Sequence, residues 1–383
     1  PIAHLASPGG SGLARPTVAE IRLSALRHNV HAIRALLPQG VGLLGIVKAN
    51  AYGHGALPVA RALEADGARM LGVATVEEGV ELREGGIRLP VVVLGGVDPP
   101  QAAEAHAHRL SAILFDRGQI GYLARAAETA GRPFPLHVKV DTGMGRLGLL
   151  PREAMEAAGQ IASTPALRLE GWMTHLSSAD GPAAADREYT AAQLATFRGM
   201  LPAVRKAFGD GVAVHALNSA GILRFREEPF DLVRPGIALY GCSPLPPGDA
   251  SPDLRPVMRV VTKVVSLKEL PAGHAVSYNR RYRCDGARRI AVVPIGYADG
   301  YRRALTGRAR MAVAGHPVPV AGTVCMDHTM IDVTGVPGVA IGTDVEVMGE
   351  ASMGAEEMAR ICGTIPYEIL VQVGPRIPRV TID

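Results

Sequence analysis

The chain has 383 residues, of which 48% are hydrophobic and 20% charged, and its formal net charge is +4. A chain of this length predicts two domains, and the composition excludes a disordered or fibrous protein. The basic residues are not interleaved with aromatic side chains, which argues against nucleic acid as a partner.

The cysteines and the apolar runs indicate the cellular compartment of the protein. Four cysteines lie roughly forty residues apart and none forms a CxxC pair, so the sequence predicts neither a zinc site nor a disulfide framework. No apolar run reaches the ~18 residues of a membrane helix, and residues 1–16 lack the layout of a signal peptide. We therefore expect a soluble, cytoplasmic protein that binds neither metal nor membrane.

From residue 41 to residue 241, short apolar runs alternate with segments rich in Ala, Glu and Arg. Parallel strands covered on both faces by helices have this continuous apolar pattern. The predicted strands are 41–47, 70–75, 91–95, 111–115, 136–140, 167–175, 213–217 and 232–234. The predicted helices are 55–66, 77–84, 101–108, 117–130, 151–163 and 186–208. This count predicts an α/β protein with a (β/α)8 TIM barrel, and a doubly wound open sheet is the alternative.

The pattern changes near residue 243, where a linker rich in Pro, Gly and Ser begins. Short β-rich runs separated by turn signals follow it and predict a mostly β second domain. These runs are 257–267, 290–295, 310–313, 318–325, 329–333 and 343–348. A helix over 355–362 and a final strand over 368–373 are expected to close the chain.

Polar residues follow several predicted barrel strands, at the end where the chemistry of such barrels lies. Lys48 comes directly after GLLGIV and begins KANAYGHG. An amine at this position can enter a partly dry pocket, where its pKa falls and it becomes a Schiff-base nucleophile. A lone lysine is more often a solvated loop residue. The nearby glycines, which permit close approach to a ligand, and the hydroxyl of Tyr52 favour the functional interpretation.

A second group of residues indicates an anion site. In VRPGIALYG (233–241), Pro235 and Gly236 should end the last strand, so that the N–H groups of Gly236 and Ile237 open a short helix. The loops after strands 7 and 8 usually hold phosphate in such barrels, and Ser219 follows strand 7. A plain strand-to-helix turn is the alternative.

A third group, DTGMGR, follows the strand that contains Lys139 and ends at Arg146. An arginine with two nearby glycines suits bidentate recognition of a carboxylate or a phenolate. A salt-bridged loop arginine is the alternative. His175, at the end of LEGWMTH, could similarly be a hydrogen-bonded core histidine.

Nine segments resemble the alanine racemase family, in that family's order and over nearly the whole chain. They are VKANAYGHG (47–55), KVDTGMGRLG (139–148), THLSSAD (174–180), NSAG (218–221), VRPGIALYG (233–241), VSYNRRY (276–282), PIGYADG (294–300), VCMDHTMIDV (324–333) and IPYE (365–368). The resemblance implies a fold-type III pyridoxal-phosphate enzyme that forms a head-to-tail homodimer. It also implies that the extreme N-terminus joins the β domain, so the expected domains are 14–243 and 1–13 with 244–383.

The resemblance implies that Lys48 carries pyridoxal 5'-phosphate as a Schiff base and then serves as the base on one face of the substrate α-carbon. Tyr278 of the other subunit would be the base on the opposite face, because racemisation through a planar carbanion needs two acid/base groups. The predicted function is interconversion of L- and D-alanine, which supplies D-alanine for peptidoglycan.

The resemblance also assigns the supporting residues. Arg234 would face the cofactor's pyridine nitrogen, where most pyridoxal-phosphate enzymes have a carboxylate, and His175 would hold Arg234 in position. Arg146 would bind the cofactor's phenolic oxygen and the substrate carboxylate. The partner subunit's Met326, beside Asp327, would approach the same carboxylate. The residues expected to bind the phosphate are Tyr52, Ser219, Gly236, Ile237 and Tyr367, with Asn218 also at the cofactor.

Lys139 is carbamylated in many members of this family, and the resulting anion orients the arginine seven residues later. Both Lys139 and Arg146 are present here, so we expect the same modification. An unmodified lysine would place two cations together in a dry site, which is unfavourable.

Three alternative functions differ in class. The first is a pyridoxal-phosphate binding protein without strong catalysis, against which the second domain and its Tyr278 argue. The second is a fold-type III decarboxylase, which would have a glutamate at the place of Arg234. The third is a racemase of another small amino acid such as serine. It stays open because an apolar pocket discriminates one small group by only ~1–3 kcal/mol.

Overall fold

The structure, a computed structural model, describes residues 15–227 and 229–383. The described residues divide into a barrel unit, residues 23–255, and a β unit made of residues 15–22 together with 256–383. Strand β1 (Val18–Arg22) belongs to the β unit because it pairs there with strands from the C-terminal part of the chain. The predicted bounds, 14–243 and 244–383, had placed β1 in the barrel and residues 244–255 in the β domain. The predicted segment 1–13 lies outside the described residues.

The barrel unit contains a closed, parallel, eight-stranded barrel, which confirms the predicted fold class. Its strands are β2 (Gly42–Ile46), β3 (Met70–Val73), β4 (Val91–Val93), β5 (Leu110–Leu114), β6 (Phe134–Lys139), β7 (Leu167–Met173), β8 (Ala213–Asn218) and β9 (Leu232–Arg234). Strands β2 and β9 pair with each other and close the barrel. Every residue of β2, β5 and β6 is buried, which explains their continuous apolar sequences.

Helices connect these strands. They are α1 (Leu23–Arg34), α2 (Lys48–Tyr52), α3 (Ala56–Ala65), α4 (Val76–Glu84), α5 (Ala102–Ala107), α6 (Gln119–Ala130), α7 (Pro151–Ala162), α8 (Ala184–Phe208) and α9 (Ser219–Arg224). Short 3-10 helices span Pro99–Gln101 and Ile237–Tyr240. Helix α4 begins with a capping box, in which the Glu78 backbone N–H donates to Thr75 Oγ1 and the Thr75 N–H donates to the Glu78 carboxylate. None of the helices that the structure describes is long and apolar enough to cross a membrane.

The β unit contains three sheets. Its further strands are β10 (Met258–Lys263), β11 (Ser266–Leu270), β12 (Ala275–Val276), β13 (Tyr282–Arg283), β14 (Arg288–Val293), β15 (Arg310–Val313), β16 (His316–Pro319), β17 (Thr329–Asp332), β18 (Asp344–Met348) and β19 (Arg379–Ile382). The largest sheet has the order β16-β15-β18-β10-β1-β19, and the others are β11-β14-β17 and β12-β13. Helices α10 (Ala355–Cys362) and α11 (Pro366–Val371) and three 3-10 helices, Tyr278–Arg280, Tyr297–Asp299 and Arg303–Leu305, complete the unit.

The β unit also corrects the sequence predictions. The run 368–373 is not a strand, because Pro366 begins α11 there, and the closing strand is β19. The single run 257–267 consists of two strands, β10 and β11, and the run 318–325 has only its first residues in β16. Strands β1, β12, β13 and β19 were not predicted, nor were helices α1, α2 and α9 of the barrel unit.

Asp299 is a carboxylate that links distant segments within the β unit. Its side chain is 0% exposed and lies 2.8 Å from the guanidinium groups of both Arg15 and Arg376, and it also accepts from the Gly296 N–H at 3.1 Å. Burial alone would raise the pKa of Asp299, but the hydrogen bonds from Arg15, Gly296 and Arg376 lower it below its ordinary value. The folded state therefore favours the ionised carboxylate.

We expect Asp299→Asn to lower the free energy of unfolding at pH 7 by about 2 kcal/mol, a loss typical of hydrogen bonds to charged groups. Because the folded-state pKa is depressed, the carboxylate stabilises the fold above its unfolded pKa of about 3.9, and this contribution is lost as the pH falls through the folded-state pKa. Urea unfolding should therefore show a difference at pH 7 that closes below about pH 4. A difference that persists at low pH would contradict the assignment. The control Asp344→Asn, which breaks a half-exposed ion pair with Lys263, should cost less than about 1 kcal/mol.

Candidate active site

Polar side chains of the barrel unit gather at the carboxyl ends of its strands. Lys139 and Arg234 are the last residues of β6 and β9, and Lys48 and His175 each lie two residues beyond β2 and β7. The positive charges of Arg146, Arg234 and Lys48 all act on Lys139, as expected for groups at the same end of the barrel. The structure thus brings together the barrel residues that the sequence singled out.

Lys48 is half-buried at the start of α2. Burial lowers the pKa of its amine, Arg146 lowers it further, and Glu78 opposes the shift. A lower pKa leaves more of the amine unprotonated near neutral pH, which is the form that attacks a carbonyl carbon.

The turn that begins at Lys48 is left-handed. Ala49, Asn50 and Ala51 each have φ of 52°, and Tyr52 has φ of 54°. This conformation costs roughly 1–2 kcal/mol per residue outside glycine, so the surroundings must stabilise it. The Glu78 carboxylate accepts from the Ala49 N–H at 2.6 Å, and the Asn50 side chain accepts from the N–H of Ala56 at 2.7 Å.

The residues of the predicted anion site lie on α2, at the junction of β8 with α9, and just after β9. The Ser219 hydroxyl is buried and accepts from the Gly236 N–H at 2.9 Å, next to the 3-10 helix that begins at Ile237. A Cβ atom at Gly236 would lie 2.6 Å from the Tyr52 hydroxyl, so only glycine leaves room for that hydroxyl here. Burial raises the pKa of Tyr52, which keeps it a neutral donor. Asn218 lies beside this group and caps α9 by accepting from the Gly221 N–H at 2.9 Å.

Arg234 is the most buried cation of the site, with 3% of its surface exposed. Its guanidinium donates to the carbonyl oxygens of Thr174 and Ala216, both at 2.7 Å. It also lies 2.9 Å from Nδ1 of His215 and 3.3 Å from Nδ1 of His175. Burial lowers the pKa of Arg234 to about 9, so it remains protonated at neutral pH with no carboxylate among these partners.

Two buried histidines of this site were missed by sequence reasoning. His215 contacts Arg234, and its Nε2 lies 2.9 Å from Nδ1 of His137. Burial lowers the pKa values of both histidines, with Arg234 adding to the shift, and that of His137 falls to about 3. The available signal was a histidine inside each of two apolar runs, LHVKV and AVHAL.

Lys139 and Arg146 lie on either side of a tight loop. The carboxylate of Asp141 accepts from the backbone N–H groups of Gly143 at 2.9 Å, Met144 at 2.8 Å and Gly145 at 2.9 Å, which fixes the loop and leaves Arg146 exposed. Burial lowers the pKa of Lys139 to about 8, and the charges of Arg146 and Arg234 contribute.

The remaining predicted site residues belong to the β unit. Tyr278 is 68% exposed and Met326 is 52% exposed. Their backbones are fixed, since Thr323 Oγ1 donates to the Tyr278 carbonyl at 2.9 Å and the Ala298 N–H donates to the Met326 carbonyl at 3.0 Å.

Asp327 pairs with Arg376 at 2.9 Å, and Tyr367 is half-buried on α11. Among the described residues, no cluster of three or more His, Cys, Asp or Glu side chains could hold a metal ion.

Known proteins resemble nearly the whole chain. Residues 21–244 match the family model of the alanine racemase N-terminal domain, and residues 257–381 match that of the C-terminal domain. The alanine racemase of Geobacter sulfurreducens is 42% identical over 96% of this chain and 98% of its own length. That of Desulfovibrio desulfuricans is also 42% identical, over 96% of this chain and 99% of its own.

Solved structures agree with the sequence comparison. The alanine racemase of Clostridium difficile 630 superposes with a TM-score of 0.90 at 33% identity, covering 97% of this chain and 96% of its own. The enzyme of Bacillus anthracis with bound L-Ala-P has a TM-score of 0.87 at 35% identity, covering 97% and 96%. Two domain models in the expected order, relatives at this identity and matching solved folds lead to one conclusion: the chain belongs to the alanine racemase family.

Proposed function

We propose that this protein is a cytoplasmic alanine racemase, which interconverts L- and D-alanine with pyridoxal 5'-phosphate bound at Lys48. The observation that carries the proposal is the arrangement at the barrel's end. A lysine whose pKa is lowered by burial lies in the same turn as Tyr52, which reaches the anion site at Gly236. In the proposed site, the buried cation Arg234 would face the pyridine nitrogen of the cofactor, where most pyridoxal-phosphate enzymes have an acid.

The barrel residues fit the cofactor. The hydroxyls of Tyr52 and Ser219 and the backbone N–H groups that open the 3-10 helix at Ile237 are the donors that a phosphate needs. A Cβ atom at Gly236 would displace the Tyr52 hydroxyl, so the cradle depends on glycine at this position. We infer that Asn218 and Tyr367 also contact the cofactor.

When bound, pyridoxal phosphate supplies an electron-withdrawing ring that lets the α-carbon of an amino acid release its proton. Arg234 presents N–H donors and no acceptor, so it can hydrogen-bond to the ring nitrogen without protonating it. This limits charge delocalisation into the ring and disfavours side reactions such as transamination. His175 helps to orient Arg234.

Two groups move the proton. Lys48 removes or returns it on one face of the α-carbon, and Tyr278 of the partner subunit does so on the opposite face. Tyr278 is largely exposed on a backbone that Thr323 fixes, as expected for a side chain that completes the site of a second copy. The functional unit that we propose is therefore a homodimer.

The substrate carboxylate needs its own partners. Arg146, held at the end of the Asp141 loop, can bind it in a bidentate manner and also contact the cofactor's phenolic oxygen. The partner's Met326 approaches the same carboxylate, and Asp327 supports that loop through its ion pair with Arg376.

Lys139 is proposed to be carbamylated. Its neutral amine attacks carbon dioxide, an N–C bond forms and one proton is released, which leaves an anion beside Arg146. The lowered pKa, about 8, increases the neutral fraction that can react.

The expected result of growth or incubation with 13C-bicarbonate is one carbamate signal in the 13C NMR spectrum of the folded protein. The signal should disappear in Lys139→Ala and on mild acidification, whereas Lys206→Ala, an exposed lysine of α8, should leave it unchanged. A wild-type protein without the signal would contradict the modification.

The proposal is tested by assaying purified protein with pyridoxal phosphate against both enantiomers of alanine, serine and lysine. Alanine should racemise fastest. A clear preference for serine would favour the second candidate, a racemase of another small amino acid. Release of carbon dioxide instead of racemisation would indicate a decarboxylase, and cofactor binding without turnover would indicate a binding protein. The implied role is to supply D-alanine for peptidoglycan.

A further inference from the structure

Three side chains form a hydrogen-bonded line inside the barrel unit. Arg234 lies 2.9 Å from Nδ1 of His215, and Nε2 of His215 lies 2.9 Å from Nδ1 of His137. Both histidines are 0% exposed. His215 contacts Arg234, a residue of the proposed site, whereas His137 is linked to Arg234 only through His215.

The direction of each hydrogen bond in this line is fixed. A guanidinium has no acceptor, so Nδ1 of His215 must accept and its proton must be on Nε2. That Nε2–H then donates to Nδ1 of His137, which places the proton of His137 on its own Nε2. Burial keeps both rings neutral, since it lowers both pKa values. One tautomer of each histidine therefore satisfies both hydrogen bonds of this line. It leaves the Nε2–H of His137 buried, with no partner among the described residues.

The barrel makes room for His137 in a specific way. A Cβ atom at Gly171, on the neighbouring strand β7, would lie 1.9 Å from Nδ1 of His137. The pairing of β6 with β7 is also irregular between Leu136 and His137. Such irregularities redirect side chains and are common near active sites.

We propose that His137 is a positioning residue for racemisation, because by accepting the Nε2 proton of His215 it fixes the tautomer that orients Arg234. The proposal rests on the proposed role of Arg234 beside the cofactor's ring nitrogen. Without an acceptor at His137, the Nε2–H of His215 is buried and unpaired. The proton of His215 can then move to Nδ1. There it would point at the N–H of Arg234, and the hydrogen bond between the two side chains would be lost.

The first test is the tautomer itself. Side-chain 15N NMR of the wild-type holoenzyme labelled at histidine should show His215 and His137 as neutral rings protonated at Nε2. In His137→Leu, the His215 signal should shift towards the Nδ1-protonated form. A wild-type His215 that is protonated at Nδ1, or at both nitrogens, would overturn the proposal.

The second test uses activity and the spectrum of the bound cofactor. His137→Leu should lower kcat about ten-fold with little change in KM, and should shift the absorption maximum of bound pyridoxal phosphate. In His137→Asn, Oδ1 can accept in place of Nδ1, so both kcat and the absorption maximum should return most of the way to their wild-type values. His106→Leu is the control. It removes a buried imidazole that lies 3.1 Å from the Arg132 carbonyl oxygen and is not part of the line to Arg234, so kcat and the absorption maximum should both stay unchanged.

Equal effects of the Leu and Asn variants, or the same spectral shift in His106→Leu, would show that His137 matters only for packing. If His137→Leu fails to fold, the Asn variant and the wild-type tautomer still decide the question. A wild-type protein that racemises nothing would refute the proposed function instead, and the tautomer measurement would stand independently of that result.

Discussion

Lys48→Ala should abolish racemisation, with a loss of at least about 10⁴-fold, because the substitution removes both the proposed covalent attachment of the cofactor and one of the two proposed bases. The amine lies at the start of a left-handed turn. Borohydride reduction of the wild-type holoenzyme followed by peptide mapping should find the cofactor on Lys48.

Two further measurements separate loss of chemistry from loss of structure. Lys206→Ala, on the exposed side of α8, should retain full activity. Added methylamine should restore part of the activity of Lys48→Ala, because a free amine can replace the missing base. Borohydride labelling of another lysine in the wild-type protein would contradict the assignment.

Tyr278→Phe should lower racemisation by roughly 10²–10⁴-fold, the range of a missing general acid or base. The equilibrium constant between two enantiomers is one, so kcat/KM must fall equally in both directions. The loss of the Tyr278 base can be detected instead by measuring, for each enantiomer, the rate at which the α-hydrogen exchanges with deuterium from deuterated water. We expect exchange to persist for the enantiomer whose α-hydrogen faces Lys48 and to be lost for the other. Equal loss of exchange from both enantiomers would contradict two bases on opposite faces.

The proposed sharing of each site between two subunits predicts a sharper result when the two variants are mixed. A dimer of one Lys48→Ala subunit and one Tyr278→Phe subunit contains one site with both substitutions and one with neither. With free subunit exchange at equal amounts, half of the dimers are mixed and each has one intact site of two, so about a quarter of the wild-type activity should return. If Tyr278 served its own subunit, every site would lack one base and no activity would return.

The barrel could be predicted because its strands are buried on both faces. Continuous runs such as GLLGI in β2 and VVV in β4 distinguish strands from the mixed composition of the helices between them. The strands of the β unit were harder to predict from the sequence, because they are short and partly exposed. Its α11 resembles a strand in composition, and only Pro366 at its first turn indicates a helix.

The candidate site was predictable where a polar residue follows a strand, and was missed where a polar residue lies inside one. Lys48 and Arg234 mark the ends of β2 and β9, whereas His137 and His215 lie within β6 and β8. A buried histidine in an apolar run is compatible with ordinary packing. Its importance follows from the line of hydrogen bonds to Arg234, which depends on how four strands lie next to one another.

The closure of the barrel has a consequence for synthesis of the protein on the ribosome. Strand β2 pairs with β9, and the Ile46 N–H donates to the Pro235 carbonyl at 3.1 Å, so the first and last strands meet beside Lys48. A nascent chain exposes Lys48 early, but the proposed phosphate site can form only when the strand that ends at Arg234 has emerged. Contacts so distant in sequence form late in folding. We therefore expect the cofactor to bind only after the barrel has closed. Chains that stop before β9 should leave the ribosome without bound cofactor.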